Sequence, residues 1–183
     1  GTYTELARFH SGKALFLDTP EPRLDQSSTF SAISELQMFM EYFPASKRKT
    51  EAQQMIFELQ DKLVMKDYLT AKLYYDLGTY TGNASYTADM RINGNNFLAC
   101  ITTAQNALKD YPYTSMREEI SILLLRAKHK LGSESVLEKK EERMRETIDE
   151  YYAFKNEFPE SKYMKEVESI YKDASKYVKE LNE

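Results

Sequence analysis

The sequence predicts an all-α chain, an α-solenoid of about eight antiparallel helices stacked as hairpins. Three observations predict it. An aromatic–Pro–x–Ser/Thr unit recurs as Phe43-Pro44-Ala45-Ser46, Tyr111-Pro112-Tyr113-Thr114 and Phe158-Pro159-Glu160-Ser161. Between these units apolar residues return every three or four positions, and no segment alternates as a strand would. Only 6 glycines and 5 prolines interrupt 183 residues, so most of the chain should be regular structure.

The unit extends beyond its four residues. An isoleucine lies eleven residues before each proline (Ile33, Ile101, Ile148), and a glutamate seven residues after it (Glu51, Glu119, Glu166). An apolar residue follows each glutamate: Ala52, Ile120 and Val167. The pattern describes a helix–turn–helix corner. Proline disfavours helical geometry in the residue before it, so each helix stops at Phe43, Tyr111 or Phe158. Ser46, Thr114 and Ser161 are placed to cap the next helix by accepting an orphan backbone N–H. The glutamates fall one turn in, near the positive end of the helix. Phe43, Pro44, Ser46, Tyr111, Pro112, Thr114, Phe158, Pro159 and Ser161 are therefore read as structural corners. The prolines are 68 and 47 residues apart, and 68 is twice the 34 of a tetratricopeptide repeat. Ala71–Tyr80 would fill the missing unit, with Gly78 allowing a close helix contact.

In chain order, helices are expected over Thr4–Leu17, Ser28–Phe43, Ser46–Met65, Lys66–Leu77, Asn95–Asp110, Thr114–Leu131, Ser135–Glu157 and Ser161–Leu181, the third and fourth nearly continuous. Leu36, Phe39, Met40 and Phe43 make one buried stripe, and Ile120, Leu123, Leu124 and Ala127 another. Loops fall at Asp18–Gln26, with Pro20 and Pro22, and at Thr81–Gly94, which is long for a helical-repeat turn. The domain reading is a single array over 1–183, with repeats near 3–45, 46–112 and 113–159 and a terminal helix over 160–183. Excess length in the third repeat lies in the charged stretch Glu134–Glu150, where Glu141 to Arg145 has the i,i+4 order of an exposed helix.

Composition removes most chemistry. The chain carries 25 Lys+Arg against 29 Asp+Glu, a net charge of −4 with interspersed signs, which argues against a nucleic-acid partner. One cysteine excludes an internal disulfide, and His10 and His129 lack metal-ligand spacing. Cys100 shares a stripe with Phe97 and Ala104 and reads as a structural thiol. No Gly-rich phosphate loop is present, nor an apolar run long enough to span a bilayer. No cofactor, metal or catalytic residue is expected.

A binding role remains. Tyr68, Lys72 and Tyr75 share one helix face, looking away from a Leu69–Leu73–Leu77 stripe. A tyrosine–lysine groove suits an extended peptide or a partner's edge. The long insertion Thr81–Asn93, with Tyr86 and Arg91, is read as part of the same partner-binding surface.

The residues also resemble a known family. Phe30-Ser31-Ala32-Ile33, Phe39, Phe43-Pro44-Ala45-Ser46 and Glu51-Ala52 are similar to a middle repeat of the BamD family, the tetratricopeptide-repeat lipoproteins of the bacterial outer-membrane β-barrel assembly machinery. Ala71, Tyr74-Tyr75, Gly78 and Tyr80, followed by Ala104 and Leu108–Thr114, look like the next repeat. Leu24-Asp25-Gln26 resembles the loop before the middle repeat's second helix. The likeness covers about residues 3–131 and resembles the carboxy-terminal part, so amino-terminal repeats, signal peptide and lipidated cysteine are expected to lie outside this sequence.

The resemblance implies a non-enzymatic scaffold on the periplasmic face of the outer membrane, lipid-anchored in the full-length protein. Its implied partners are the periplasmic domains of a barrel-assembly protein, other assembly lipoproteins and unfolded outer-membrane proteins. Two other readings compete: a general tetratricopeptide adaptor for a peptide or protein, and a glycan-binding helical lipoprotein of the outer membrane. The absence of tryptophan weighs against the last.

Overall fold

A computed structural model describes residues 2–79 and 95–180. Among the described residues all regular structure is α-helical and there is no strand. They form α1 (Thr2–Leu17), α2 (Ser27–Tyr42), α3 (Lys49–Leu77), α4 (Asn96–Asp110), α5 (Arg117–Ser133), α6 (Leu137–Glu157) and α7 (Met164–Glu180). This is a tetratricopeptide-like helical repeat. The eight helices expected are seven, because Ser46–Met65 and Lys66–Leu77 are one element of 29 residues. Nothing between Ser46 and Leu77 breaks a helix, since the stretch holds neither glycine nor proline.

The three corners repeat almost atom for atom. Phe43, Tyr111 and Phe158 end their helices at φ −128 with ψ 62, 67 and 62. Each donates its N–H to the carbonyl four residues back: Phe39, Ala107 and Phe154. Ser46, Thr114 and Ser161 then accept the N–H two residues on, from Arg48, Met116 and Tyr163, at 3.1, 3.2 and 3.0 Å. The hydroxyls thus hold a turn, and α3, α5 and α7 begin three residues later than expected. The residues one place beyond the repeated glutamates, Ala52, Ile120 and Val167, are all fully buried.

The chain divides into two compact units. The first comprises residues 1–66 with 113–116. Its core joins Phe9 of α1, Leu36 and Phe39 of α2, and Ala52, Met55, Ile56 and Leu59 of α3. The α1–α2 loop is organised from within by Gln26, which is buried. Its Nε2 donates to the carbonyls of Glu21 and Leu24 at 2.7 and 3.1 Å, and its Oε1 accepts from the Thr29 hydroxyl at 2.7 Å. A buried amide so satisfied fixes one loop conformation.

The second unit comprises residues 67–112 and 117–183. In it α4 packs on α5, α5 on α6, α6 on α7, and α5 also touches α7. Ile122 and Leu125 of α5, Tyr151 and Phe154 of α6, and Val167 and Ile170 of α7 form one core. Tyr151 stacks on Tyr171 with ring centroids 4.3 Å apart, which joins α6 to α7. Lys128 and Glu150 pair at 2.6 Å between α5 and α6, both largely shielded from solvent.

Candidate functional site: the carboxy-terminal face of α3

Tyr68, Lys72 and Tyr75 lie one helical turn apart in the carboxy-terminal part of α3. Tyr68 and Tyr75 are half-buried and Lys72 is exposed. The Leu69–Leu73–Leu77 stripe expected to be packed is not: Leu73 is 57% exposed and Leu77 37%. The buried residues are instead Val64, Ala71 and Gly78, spaced by seven. Tyr68 and Tyr75 therefore border the packed edge of α3. The physical reason is Phe97 at the start of α4. Its ring meets Tyr75 edge-on at 5.7 Å and lies 3.1 Å from where a Cβ on Gly78 would stand.

Gly78 does more than admit a close contact. Its φ is +54, the only positive φ in the described backbone, and its N–H caps the carbonyls of Tyr74 and Tyr75 at 3.1 Å. Its own carbonyl accepts the Asn96 N–H at 3.0 Å, which ties the end of α3 to the first turn of α4. Asn95 caps α4 in turn, accepting the Phe97 N–H at 3.0 Å.

The surface is charged in pairs. Lys72 donates to both carboxylate oxygens of Asp76 at 3.1 and 2.8 Å, and this bond raises its pKa. Burial pushes the Tyr75 phenol up, with Arg126 opposing and Glu166 reinforcing. Arg126 of α5 grips Glu166 of α7 through two bonds at 2.6 and 2.7 Å, with its guanidinium 5.4 Å from the Tyr163 ring centroid. These bonds lower the Glu166 pKa and raise that of Arg126. Lys72 and Tyr75 of the candidate face thus lie in the field of Arg126, and Tyr75 in that of Glu166 as well. Sequence reading missed Asp76, Arg126 and Tyr163, and took Glu166 for a helix-end charge. One sequence signal was available, the glutamate that recurs seven residues past each corner proline. In the structure Lys13 and Glu51 pair at 2.7 Å between α1 and α3, with nearly the same separation in sequence as Arg126 and Glu166. Tyr86, Arg91 and the rest of the Thr81–Asn93 insertion lie outside the described residues.

The remaining chemical candidates are accounted for by packing. Cys100 is fully buried, and burial pushes its thiol up to about 12, the opposite of an activated nucleophile. His129 bonds Asp173 of α7 at 2.7 Å. Among the described residues no cluster of His, Cys, Asp and Glu could hold a metal, and no helix is long and apolar enough to cross a membrane. The first unit bears a groove of about 580 Å³ lined by Met40, Ile56, Phe57, Gln37, Gln53 and Tyr113 among others.

Comparison with curated individual proteins gives no match. Residues 4–144, more than three quarters of the chain, match the model of a family described as YfiO, outer membrane lipoprotein. With its all-helical repeat and its proline corners, the chain belongs to this BamD-like family of outer membrane lipoproteins.

Proposed function

We propose that this chain is a non-enzymatic scaffold of the outer-membrane β-barrel assembly machinery, which docks the periplasmic domains of a barrel-assembly protein. It works at the periplasmic face of the outer membrane, held there by a lipid anchor in the full-length protein. Family membership supports the setting. The observation that carries the docking role is the α3 face, where half-buried tyrosines flank an exposed, ion-paired lysine. Half-buried aromatic rings are pre-ordered and amphipathic, so they can be covered at little further entropic cost. The Thr81–Asn93 insertion, with Tyr86 and Arg91, also contributes to partner binding, and other assembly lipoproteins and unfolded outer-membrane proteins are further partners.

A pull-down of the purified periplasmic domains tests the reading. Capture should fall at least about tenfold with Lys72→Glu, since reversing a charge sets like charges against the partner. Deleting residues 81–93 should weaken it as well. Undiminished capture by both variants removes the site. The reading as a general adaptor draws on the groove of the first unit, lined by Gln37, Gln53 and Gln60, because glutamine side chains can pair with the main chain of an extended peptide. Under that reading Phe57→Ala, and not Lys72→Glu, abolishes partner capture.

A further inference from the structure

Three tyrosines meet where α6 packs on α7. Tyr151 is buried and stacks on Tyr171, with ring planes 21° apart. Tyr152 is exposed and meets the Tyr171 ring edge-on, with centroids 5.7 Å apart. Its hydroxyl donates to the Tyr171 hydroxyl at 3.2 Å, across 19 positions of sequence. Two phenol oxygens from different helices thus touch at the surface. One ring is held by a stack, and the other stands on the solvent side. Lys155 donates to the Tyr151 hydroxyl at 3.0 Å and lies 3.7 Å from Glu168 of α7.

We infer that Tyr152 and Tyr171 form an oxidative modification site, at which a haem peroxidase spending hydrogen peroxide joins them as dityrosine. Each phenol gives up one electron and its hydroxyl proton, and the two together reduce one peroxide to two waters. The resulting phenoxyl radicals carry spin on the ring carbons ortho to oxygen. A carbon–carbon bond forms between one such carbon on each ring. The hydrogens displaced from those carbons return to the oxygens, which restores both phenols. The coupling carbons lie two bonds from oxygens already in contact, so the reaction runs within one molecule at high effective concentration. Tyr151 takes no part, because it is buried and its oxygen faces an ammonium that cannot accept a proton. Tyr3 and Tyr113 are almost fully exposed, but among the described residues neither ring has another tyrosine against it. Their radicals couple between molecules instead. A chain with one cysteine has no internal disulfide, and this bond staples α7 to α6 in its place.

The test treats the dilute whole chain with a haem peroxidase and hydrogen peroxide, then isolates the monomer by gel filtration. Expected are dityrosine fluorescence, a mass lower by two hydrogens, and a tryptic species joining residues 146–155 to residues 166–172. Tyr152→Phe removes a phenol from an exposed ring that the fold does not need, and should lose the joined species. Tyr151→Phe keeps the stacked ring and should retain it. The cross-linked monomer should unfold at a higher urea midpoint than the untreated chain, since the staple restricts its unfolded state. A monomer without the joined species, or one joining other peptides in its place, overturns the proposal. So does the same species from Tyr152→Phe, or its loss from Tyr151→Phe. No residue of the α3 face enters these measurements, so their failure leaves the docking proposal untouched.

Discussion

Arg126 and Glu166 are joined by two hydrogen bonds that link the middle of α5 to the first turn of α7. Lys13 and Glu51 relate α1 to α3 in the same way through one bond. In both pairs the acid is the repeated glutamate seven residues past the corner proline, so the glutamate does two things. It complements the positive end of its own helix, and it fastens that helix to the helix two places earlier in the chain.

The Arg126–Glu166 pair sets a pH dependence. Its bonds hold the Glu166 carboxyl below its usual 4.5. A depressed folded-state pKa contributes stability that is fully present above the unfolded value and lost as pH falls through the lowered one. Arg126→Met should therefore lower the melting midpoint at pH 7, and the gap from wild type should narrow below pH 4. Both residues are partly exposed, so the loss at pH 7 should be about 1 kcal/mol or less. A gap that widens on acidification would contradict the assignment.

Gly78 should resist replacement. A side chain there adopts a left-handed φ and meets the Phe97 ring, so Gly78→Ala should cost about 1–2 kcal/mol. Gly78→Val should cost more, because branching adds strain at the same φ. Urea unfolding, read as a change of midpoint at constant slope, measures both.

The buried Gln26–Thr29 bond predicts a third outcome. Thr29→Val keeps the shape but removes the hydroxyl donor, leaving Gln26 Oε1 without it. Stability should fall by about 1–3 kcal/mol. Amide exchange should quicken in residues 19–26 before it does in α5. Uniform exchange throughout would mean that the loop does not depend on this bond.

Lys128 and Glu150 should be more sensitive than the exposed pairs. Their side chains are only 14% and 16% exposed, so Lys128→Ala leaves a shielded carboxylate without its partner. The expected loss is about 2–4 kcal/mol, against less than about 1 kcal/mol for Arg145→Ala at the exposed pair with Glu141. Thermal denaturation of the two variants side by side checks the ranking.

The helices were legible because their causes are local. Leu36 and Phe39, or Ile120, Leu123 and Leu124, announce a buried stripe within one or two turns, and Pro44, Pro112 and Pro159 announce where helices stop. The join at Met65–Lys66, expected to be nearly continuous, is fully so, because neither glycine nor proline interrupts the backbone there. The packed edge of α3 was misread. Leu73 and Leu77 are the more apolar residues, but burial follows the partner, and Phe97 meets the helix at Tyr75 and Gly78. Arg126 with Glu166, and Lys13 with Glu51, each join residues some forty positions apart. No local pattern selects such partners, although the recurrence of glutamate past each proline marked half of each pair.

Docking of a protein partner through the tyrosine–lysine face of α3, as proposed, is decided by equilibrium binding of the purified periplasmic barrel-assembly domains to the immobilised chain, with Lys72→Glu and Tyr75→Ala beside wild type. Saturable binding is predicted for wild type, weakened at least about tenfold by either substitution while the melting midpoint of Lys72→Glu stays unchanged. Equal affinity for all three proteins, or no saturable binding by wild type, would contradict it.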